Sequence, residues 1–132
     1  VVSPSHAIAT QLQTHSQPDI SALQAVTWLL REQGSGTRAI ADQMLLPVLG
    51  QYSNALELSS SEAIKRCAIL GLGLACLSRW VVEEELLPGR LRVLDQVVPV
   101  TSRMCSWICH QNKHLNQTLI NVLRSLDCVQ PT

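Results

Sequence analysis

The chain has 132 residues, of which 46% are hydrophobic and 15% are charged, a composition that predicts a folded domain with its own core. Ten basic residues balance ten acidic ones, and the basic residues are scattered, which argues against a domain that grips nucleic acid by itself. No apolar run is long enough to cross a bilayer, and the N-terminus lacks the basic-then-apolar pattern of an export signal.

The first strand and helix are predicted between two polar stretches. Residues 10–21 are rich in Gln, Ser and Thr and predict a surface connection. Residues 26–30 are β-branched, aromatic and apolar, which predicts a short buried strand. A helical pattern then runs over residues 37–46, and Pro47 and Gly50 are expected to stop it.

Two further strands are predicted on either side of a second helix. Residues 55–58 and 74–77 are short apolar runs. Between them, Ser59 and Glu62 have the spacing of a capping box, which predicts a helix that continues to Ile69.

The last part of the chain predicts shorter elements and one amphipathic helix. Residues 79–87 predict a short helix whose acidic run, residues 83–85, is its solvated face. Residues 91–94 predict an edge strand and residues 104–109 a longer strand, followed by a helix over residues 113–126. Strands and helices that alternate in this way favour an α/β fold with a mostly parallel sheet flanked by helices.

The segment that follows the first strand has the chemistry of an anion site. Gly34 and Gly36 allow close approach of the backbone, Ser35 and Thr37 bring hydroxyls, and Arg38 brings a planar fork for an oxyanion or carboxylate. The first turn of a helix also has unpaired N–H groups and a partial positive charge. The alternative is that Ser35 or Thr37 only caps the helix.

The serines at 59–61 repeat this chemistry at the next predicted helix, where Glu62 again supports capping as the alternative. Because the carboxyl ends of parallel strands share one sheet edge, and ligands of open α/β folds bind at that edge, we expect the two helix starts to form one ligand site. The candidate residues are Ser35, Gly36, Thr37, Arg38, Ser59 and Ser60.

Cysteine and histidine do not predict a metal site. The spacing of Cys105, Cys109, His110 and His114 is suggestive of zinc, but both cysteines fall on one face of a predicted strand, which favours core packing. The odd number of cysteines, five, in apolar surroundings favours buried, reduced thiols of a cytoplasmic protein. We expect no metal and no cofactor.

Catalytic motifs are missing from the sequence. It contains no G-x-S-x-G elbow and no paired-carboxylate motif. The lone His6 and His15 lie in loop-like sequence and are expected to be solvated. The sequence therefore predicts a binding module and not an enzyme.

Several segments resemble the effector domain of LysR-type transcriptional regulators. They are the serine-led helix start at 61–66, the Gly-x-Gly-apolar stretch at 71–78, the acidic helix and Gly-Arg-Leu turn at 83–91, and the opening residues 1–9. The Arg-Glu-x-Gly-Ser-Gly-Thr-Arg motif at 31–38 is similar to the subgroup concerned with sulfur, cysteine and inorganic carbon assimilation.

This resemblance implies a periplasmic-binding-protein-like fold of type 2, in which two α/β subdomains enclose an effector. Residues 10–100 would form most of the second subdomain. Residues 103–127 would return to the first subdomain, which would be incomplete, and the DNA-binding domain would be absent.

The resemblance also implies a function: a small anion in the cleft switches transcription. Sulfate, sulfite or a small carboxylate would serve as effector. A homodimer would bind promoter DNA only through its missing N-terminal domain and would have no membrane contact. Two alternatives are a solute-binding protein of a transport system with the same fold, and a structural module whose site stays unoccupied.

Overall fold

A computed structural model describes residues 1–14, 19–102, 110–112, 114 and 116–127. In these residues the strands are β1 (Thr27–Arg31), β2 (Asn54–Leu58) and β3 (Leu74–Ala75). The helices are α1 (Ala7–Thr14), α2 (Ile20–Ala25), α3 (Gly36–Leu49), α4 (Ser61–Ile69), α5 (Arg79–Leu86) and α6 (Gln117–Asp127). The chain divides into two compact units, Val1–Pro99 and Val100–Thr132. The first contains the sheet and α1 to α5, and the second contains α6.

The three strands form one parallel sheet in the order β2-β1-β3. Arg31, the last residue of β1, is in register with Leu58, the last residue of β2. On the other side of β1, Leu29 is in register with Ala75. The predicted α/β fold with a parallel sheet is confirmed, although the third strand is shorter than the predicted 74–77.

Helices cover both faces of this sheet. Because side chains alternate along a strand, Trp28 and Leu30 face one core while Leu29 faces the other. The first core includes Ala41, Leu45 and Leu49 of α3, and the second includes Ile64 and Ala68 of α4 and Val82 of α5. Right-handed crossovers explain this arrangement, since β2 and β3 flank β1 on opposite sides and so place α3 and α4 on opposite faces.

A glycine lets the third strand approach the first. A Cβ atom on Gly73 would lie only 2.3 Å from the carbonyl oxygen of Thr27. Any side chain there would push the start of β3 away from β1, so the glycine is required by the close approach of the two backbones.

Helix α3 extends further than its sequence predicts. It passes through Pro47 and ends at Leu49. Gly50 provides the actual stop, with a φ of 74° and its N–H donating to the carbonyl oxygen of Leu46 at 2.8 Å. The expected end at residue 46 is wrong because an exposed proline costs the helix one hydrogen bond without ending it.

The predicted surface connection over residues 10–21 is also wrong within the described residues. It contains the end of α1 and the start of α2, while residues 15–18 lie outside the described residues. Nδ1 of His6 accepts the N–H of Ile8 at 3.2 Å, so this half-buried histidine caps α1 instead of being solvated. Burial lowers the pKa of His6. Asp19 caps α2 by accepting the N–H of Ser21 at 2.9 Å.

Two predictions, one in α5 and one after it, need correction. The expected strand at 91–94 is reduced to an antiparallel bridge between Val2 and Arg92, whose N–H groups donate to each other's carbonyl oxygens at 3.0 and 2.8 Å. The acidic run is not uniformly solvated, because Glu85 is buried and forms an ion pair with Arg90. The predicted strand at 104–109 lies outside the described residues.

The predicted amphipathic helix near the end of the chain exists as α6. It begins at Gln117, four residues later than residue 113. The side chain of Asn116 accepts the N–H of Leu119 at 2.8 Å. This bond satisfies an N–H of the first turn and explains why the helix begins there.

Candidate functional site

The two helix starts predicted to share one sheet edge both lie at the carboxyl end of the paired strands β1 and β2. Because Arg31 and Leu58 are in register, the turns that lead into α3 and α4 leave the sheet at the same level. A side chain links the end of β1 to the start of α4: Nη1 of Arg31 donates to Oγ of Ser61, the first residue of α4, at 3.1 Å.

At the start of α3, Ser35 is the N-cap. Its Oγ accepts the N–H groups of Thr37 at 3.2 Å and of Arg38 at 3.4 Å. Gly34, with a φ of 88°, makes the turn that precedes it. Gly36 is exposed, and the hydroxyl of the half-buried Thr37 makes no hydrogen bond within the described residues. The structure therefore supports the capping interpretation for Ser35 and leaves the Thr37 hydroxyl unused.

Arg38 lies in a dense polar network. Its Nε donates to both carboxylate oxygens of Asp42, at 2.9 and 3.1 Å. Its Nη1 donates to the carbonyl oxygen of Arg31 at 3.0 Å and to Glu57 at 3.2 Å. The guanidinium also lies 5.8 Å from the ring centroid of Tyr52, and its side chain is only 12% exposed. Arg38 therefore joins the ends of β1 and β2 to α3.

Tyr52 closes this network from the loop before β2. Its hydroxyl donates to Asp42 at 3.0 Å, and its ring lies 6.0 Å from that of Trp28. Burial, together with the hydrogen bond to Asp42, raises the pKa of Tyr52 well above its usual range. The phenol therefore stays protonated and remains a donor to Asp42.

At the start of α4 the cap is Ser60, whose Oγ accepts the N–H of Ala63 at 3.3 Å. The predicted capping box with Ser59 as N-cap is wrong, since the helix begins one residue later than that pattern requires. Ser59 is exposed, and its hydroxyl makes no hydrogen bond within the described residues.

Glu62 also has a different role from the predicted one. Its carboxylate forms ion pairs with Lys65 at 2.8 Å and with Arg66 at 3.2 Å. The hydrogen bond from Lys65, more than that from Arg66, lowers the pKa of Glu62. Glu62 thus anchors two cations of its own helix.

Arg31 is a residue of this edge that the sequence did not single out as a site residue. Its Nε and Nη2 donate to the two carboxylate oxygens of Glu32 at 2.7 and 2.8 Å. Hydrogen bonding from Arg31 holds the pKa of Glu32 down to about 2. An arginine that directly ends a strand predicted to lead into an anion-binding turn was the signal that could have identified it.

Comparison with known proteins decides the family. Residues 1–127 match the LysR substrate binding domain. The chain belongs to this family.

The relatives of this LysR domain include named regulators. It is 43% identical over 108 residues to the HTH-type transcriptional regulator YeiE of Escherichia coli K12. The aligned segment covers 82% of the chain and 37% of YeiE. It is 31% identical over 115 residues to the HTH-type transcriptional regulator CbbR of Rhodospirillum rubrum, covering 87% of the chain and 37% of CbbR. Over 75 residues it is 36% identical to CysL of Bacillus subtilis, covering 57% of the chain and 25% of CysL.

These findings confirm the resemblance to LysR-type regulators that the sequence suggests. The relatives are named as transcriptional regulators and not as enzymes. The chain spans little more than a third of the length of YeiE and of CbbR.

A third helix of this LysR domain begins at the same sheet edge. Helix α5 follows β3, and its N-cap Ser78 makes no capping hydrogen bond through its side chain. Ser78 is half-buried. The sequence pattern, a serine between an apolar run and the predicted helix at 79–87, could have added it to the candidates.

Metal-binding residues do not cluster in the part of this LysR domain that the structure describes: no three His, Cys, Asp or Glu side chains there could hold an ion. Cys105 and Cys109 lie outside the described residues, and His110 and His114 are exposed. Among the described helices, none is long and apolar enough to cross a membrane.

The described thiols are free. Cys67 and Cys76 form no disulfide, and both are half-buried, not fully buried as predicted. Burial raises the pKa of the Cys76 thiol, which keeps it in the protonated, less reactive form.

Proposed function

We propose that this chain is the effector-sensing part of a LysR-type DNA-binding transcriptional regulator and that a small anion is its effector. The family match and the names of the relatives support the regulator. In this proposal the fold is periplasmic-binding-protein-like, with residues 10–100 in the second subdomain and residues 103–127 returning to an incomplete first subdomain. Promoter DNA is bound by a helix-turn-helix domain, the protein acts in the cytoplasm, and it works as a homodimer.

The observation that carries the anion proposal is the pair of helix starts at one sheet edge. Each start has partly unpaired N–H groups and the positive end of a helix dipole, and two such ends add their attraction for a negative charge. The Arg31–Ser61 hydrogen bond of 3.1 Å supports this arrangement, because it links the end of β1, which leads into α3, to the start of α4. The proposed ligand-binding residues are Ser35, Gly36, Thr37, Arg38, Ser59 and Ser60.

These residues divide into two groups by their contacts. Ser35 and Ser60 use their hydroxyls to cap α3 and α4, so they support the site by fixing the helix ends. Thr37 and Ser59 keep their hydroxyls free of hydrogen bonds within the described residues and are the better candidates for direct donors. Arg38 contributes its charge from within the network and tunes the field, because Asp42 and Glu57 already engage it.

The proposed anion is sulfate, sulfite or a small carboxylate, since backbone N–H groups and hydroxyls donate to all three. Binding alone does not regulate transcription: the anion must bind one arrangement of the regulator more tightly than the other. In the proposed mechanism the anion joins the helix starts to the facing subdomain and so shifts the dimer that holds the DNA-binding domains.

A thermal-shift titration tests this proposal. Sodium sulfate, sulfite and a panel of small carboxylates are added at constant ionic strength, and a ligand of the folded state raises the unfolding midpoint. Thr37→Ala and Ser59→Ala should weaken that response without removing a helix cap. Ser53→Ala, an exposed serine just before β2 at the opposite sheet edge, should respond as the unmodified chain does.

The outcomes distinguish a wrong site from a wrong ligand class. If no anion raises the midpoint of the chain or of the complete effector domain, the anion proposal fails. If an anion does raise it but Thr37→Ala and Ser59→Ala respond fully, the ligand class stands and the assigned residues are wrong.

A further inference from the structure

Arg31 holds a carboxylate in the way that it would hold a bound oxyanion. Both oxygens of Glu32 accept from one edge of the guanidinium, Oε2 from Nε at 2.7 Å and Oε1 from Nη2 at 2.8 Å. Such a two-point, charge-assisted contact is the arrangement by which arginine recognises carboxylate, sulfate and phosphate groups. The remaining contact, from Nη1 to Ser61, points to the start of α4.

The contact between Arg31 and Glu32 does not hold two parts of the fold together. It joins two adjacent residues, so it ties no two elements of the fold together, in contrast to the Arg38 network. The side chains of Arg31 and Glu32 are 22% and 40% exposed, which leaves the pair accessible to solutes. Arg31 holds the pKa of Glu32 down to about 2, which shows that the guanidinium favours the charged carboxylate, and this carboxylate competes with any anion for the guanidinium.

We propose that Arg31 contacts the anionic effector directly and that Glu32 is an internal competitor which the effector must displace. This inference rests on the proposed function, since it adds a specificity-determining residue and a built-in competitor to the same site. A ligand fits only if it presents two oxygens to one edge of a guanidinium, as sulfate, sulfite and carboxylates do and as a halide does not.

The competitor sets a threshold for binding. A carboxylate attached to the neighbouring residue has an effective concentration in the millimolar range or above, so a free anion must offer more than the contact that Glu32 already makes. Its additional partners are the first-turn N–H groups of α3 and α4 that the caps do not use, since Ser35 already accepts from Thr37 and Arg38 and Ser60 accepts from Ala63. Displacement would also free Glu32, which couples ligand binding to a change at the end of β1.

Isothermal titration with sodium sulfate and sodium acetate, at ionic strength held constant with sodium chloride, tests the inference. The variants are Arg31→Gln, Arg31→Lys and Glu32→Gln. Glu84→Gln is the matched control, because it removes the same charge from an exposed carboxylate of α5 that forms no ion pair within the described residues. Circular dichroism verifies that each variant is folded, and Arg31→Lys keeps the charge if Arg31→Gln does not fold.

We expect Glu32→Gln to tighten binding of both anions by about three- to tenfold, because the internal competitor is gone. Glu84→Gln should change affinity by less than about twofold. Arg31→Gln should weaken sulfate binding by about tenfold or more, and Arg31→Lys should lie between, because lysine keeps the charge and loses the two-point contact.

Three results overturn the inference. One is sulfate binding that is unchanged in both Arg31 variants. Another is a gain in Glu84→Gln equal to that in Glu32→Gln, which would mean a simple effect of net charge. The third is that neither the unmodified chain nor Glu32→Gln binds either anion. That result would contradict the proposed function as well. The first result can be separated from a failure of the proposed function. If Thr37→Ala loses binding while both Arg31 variants bind normally, the proposed function still holds and only the role of Arg31 is wrong.

Discussion

The starts of α3 and α4 have the same chemistry but are anchored very differently. At α3, the cap Ser35 accepts two N–H groups, and Arg38 joins the helix to both strand ends through a guanidinium that is 12% exposed. At α4, the cap Ser60 accepts a single N–H in an exposed position. The strand that leads to α4, β2, is one of the two edge strands of the described sheet and is largely exposed.

This difference indicates how the site is built. The α3 start is preorganised, since its geometry is fixed by contacts that do not involve a ligand, and preorganisation lowers the entropy cost of binding. The Arg31–Ser61 hydrogen bond ties the α4 start to the end of β1, and Arg38 of α3 donates to the carbonyl oxygen of the same Arg31. In the proposed function, α3 therefore supplies the more firmly anchored half of the site and α4 the less firmly anchored half.

The largest expected effect is the loss of the Arg38 network. Arg38→Ala leaves the carboxylates of Asp42 and Glu57 without their shared cation, so it should lower the free energy of unfolding by about 2–3 kcal/mol. Urea denaturation followed by circular dichroism measures this. The matched control is Arg79→Ala, whose side chain is 79% exposed and lies 3.7 Å from Glu83, and it should cost less than about 0.5 kcal/mol. Equal costs for the two variants would show that the α3 start is not specially anchored.

The sequence predicted the sheet edge well but not how the edge is anchored. Alternation of apolar runs with helical patterns identified β1, β2 and the order of elements, because local periodicity reflects which side faces the core. The network around Arg38 could not be predicted, because it joins residues 31, 38, 42, 52 and 57 through side chains that meet only once the chain is folded.

The predictions that failed did so for local reasons. Pro47 predicted the end of the helix, but a proline near the C-terminus of a helix removes only one hydrogen-bond donor. Helix α3 ends instead at its C-cap, Gly50. The polar residues of α1 and α2 predicted a loop. The few buried side chains of these helices, such as Ile8 and Leu23, are too sparse to give a clear helical periodicity of apolar residues. The capping-box spacing to Glu62 favoured Ser59 over the adjacent Ser60, whereas the folded chain uses Ser60, which has the extended backbone of an N-cap and accepts the N–H of Ala63.

The next largest expected effect is a difference in stability between variants of the two N-cap serines. Ser35→Ala removes an acceptor for two N–H groups in a partly buried position and should destabilise the chain by about 1–2 kcal/mol, while Ser60→Ala removes one exposed hydrogen bond and should cost about 0.5 kcal/mol. Thermal unfolding of the two variants under identical conditions gives the difference. A larger cost for Ser60→Ala would reverse the assignment of α3 as the better anchored start.

The smallest expected effect is a pH dependence of the contact between Arg31 and Glu32. Arg31 lowers the pKa of Glu32 from 4.5 to about 2, so the folded state binds the proton less tightly than the unfolded state does. The stabilisation is therefore complete above about pH 4.5 and is lost as the pH falls from there towards 2. Urea midpoints measured between pH 6 and pH 3 should fall less steeply in Glu32→Gln than in the unmodified chain.

The control for this measurement is Glu84→Gln, which changes an exposed carboxylate of α5 that forms no ion pair within the described residues. It should leave the slope as it is in the unmodified chain. Sulfate sharpens the test, because an anion that displaces Glu32 from Arg31 removes the cause of the lowered pKa. Saturating sulfate should therefore reduce the contribution of Glu32 to the pH slope, whereas an anion bound elsewhere would leave that contribution intact.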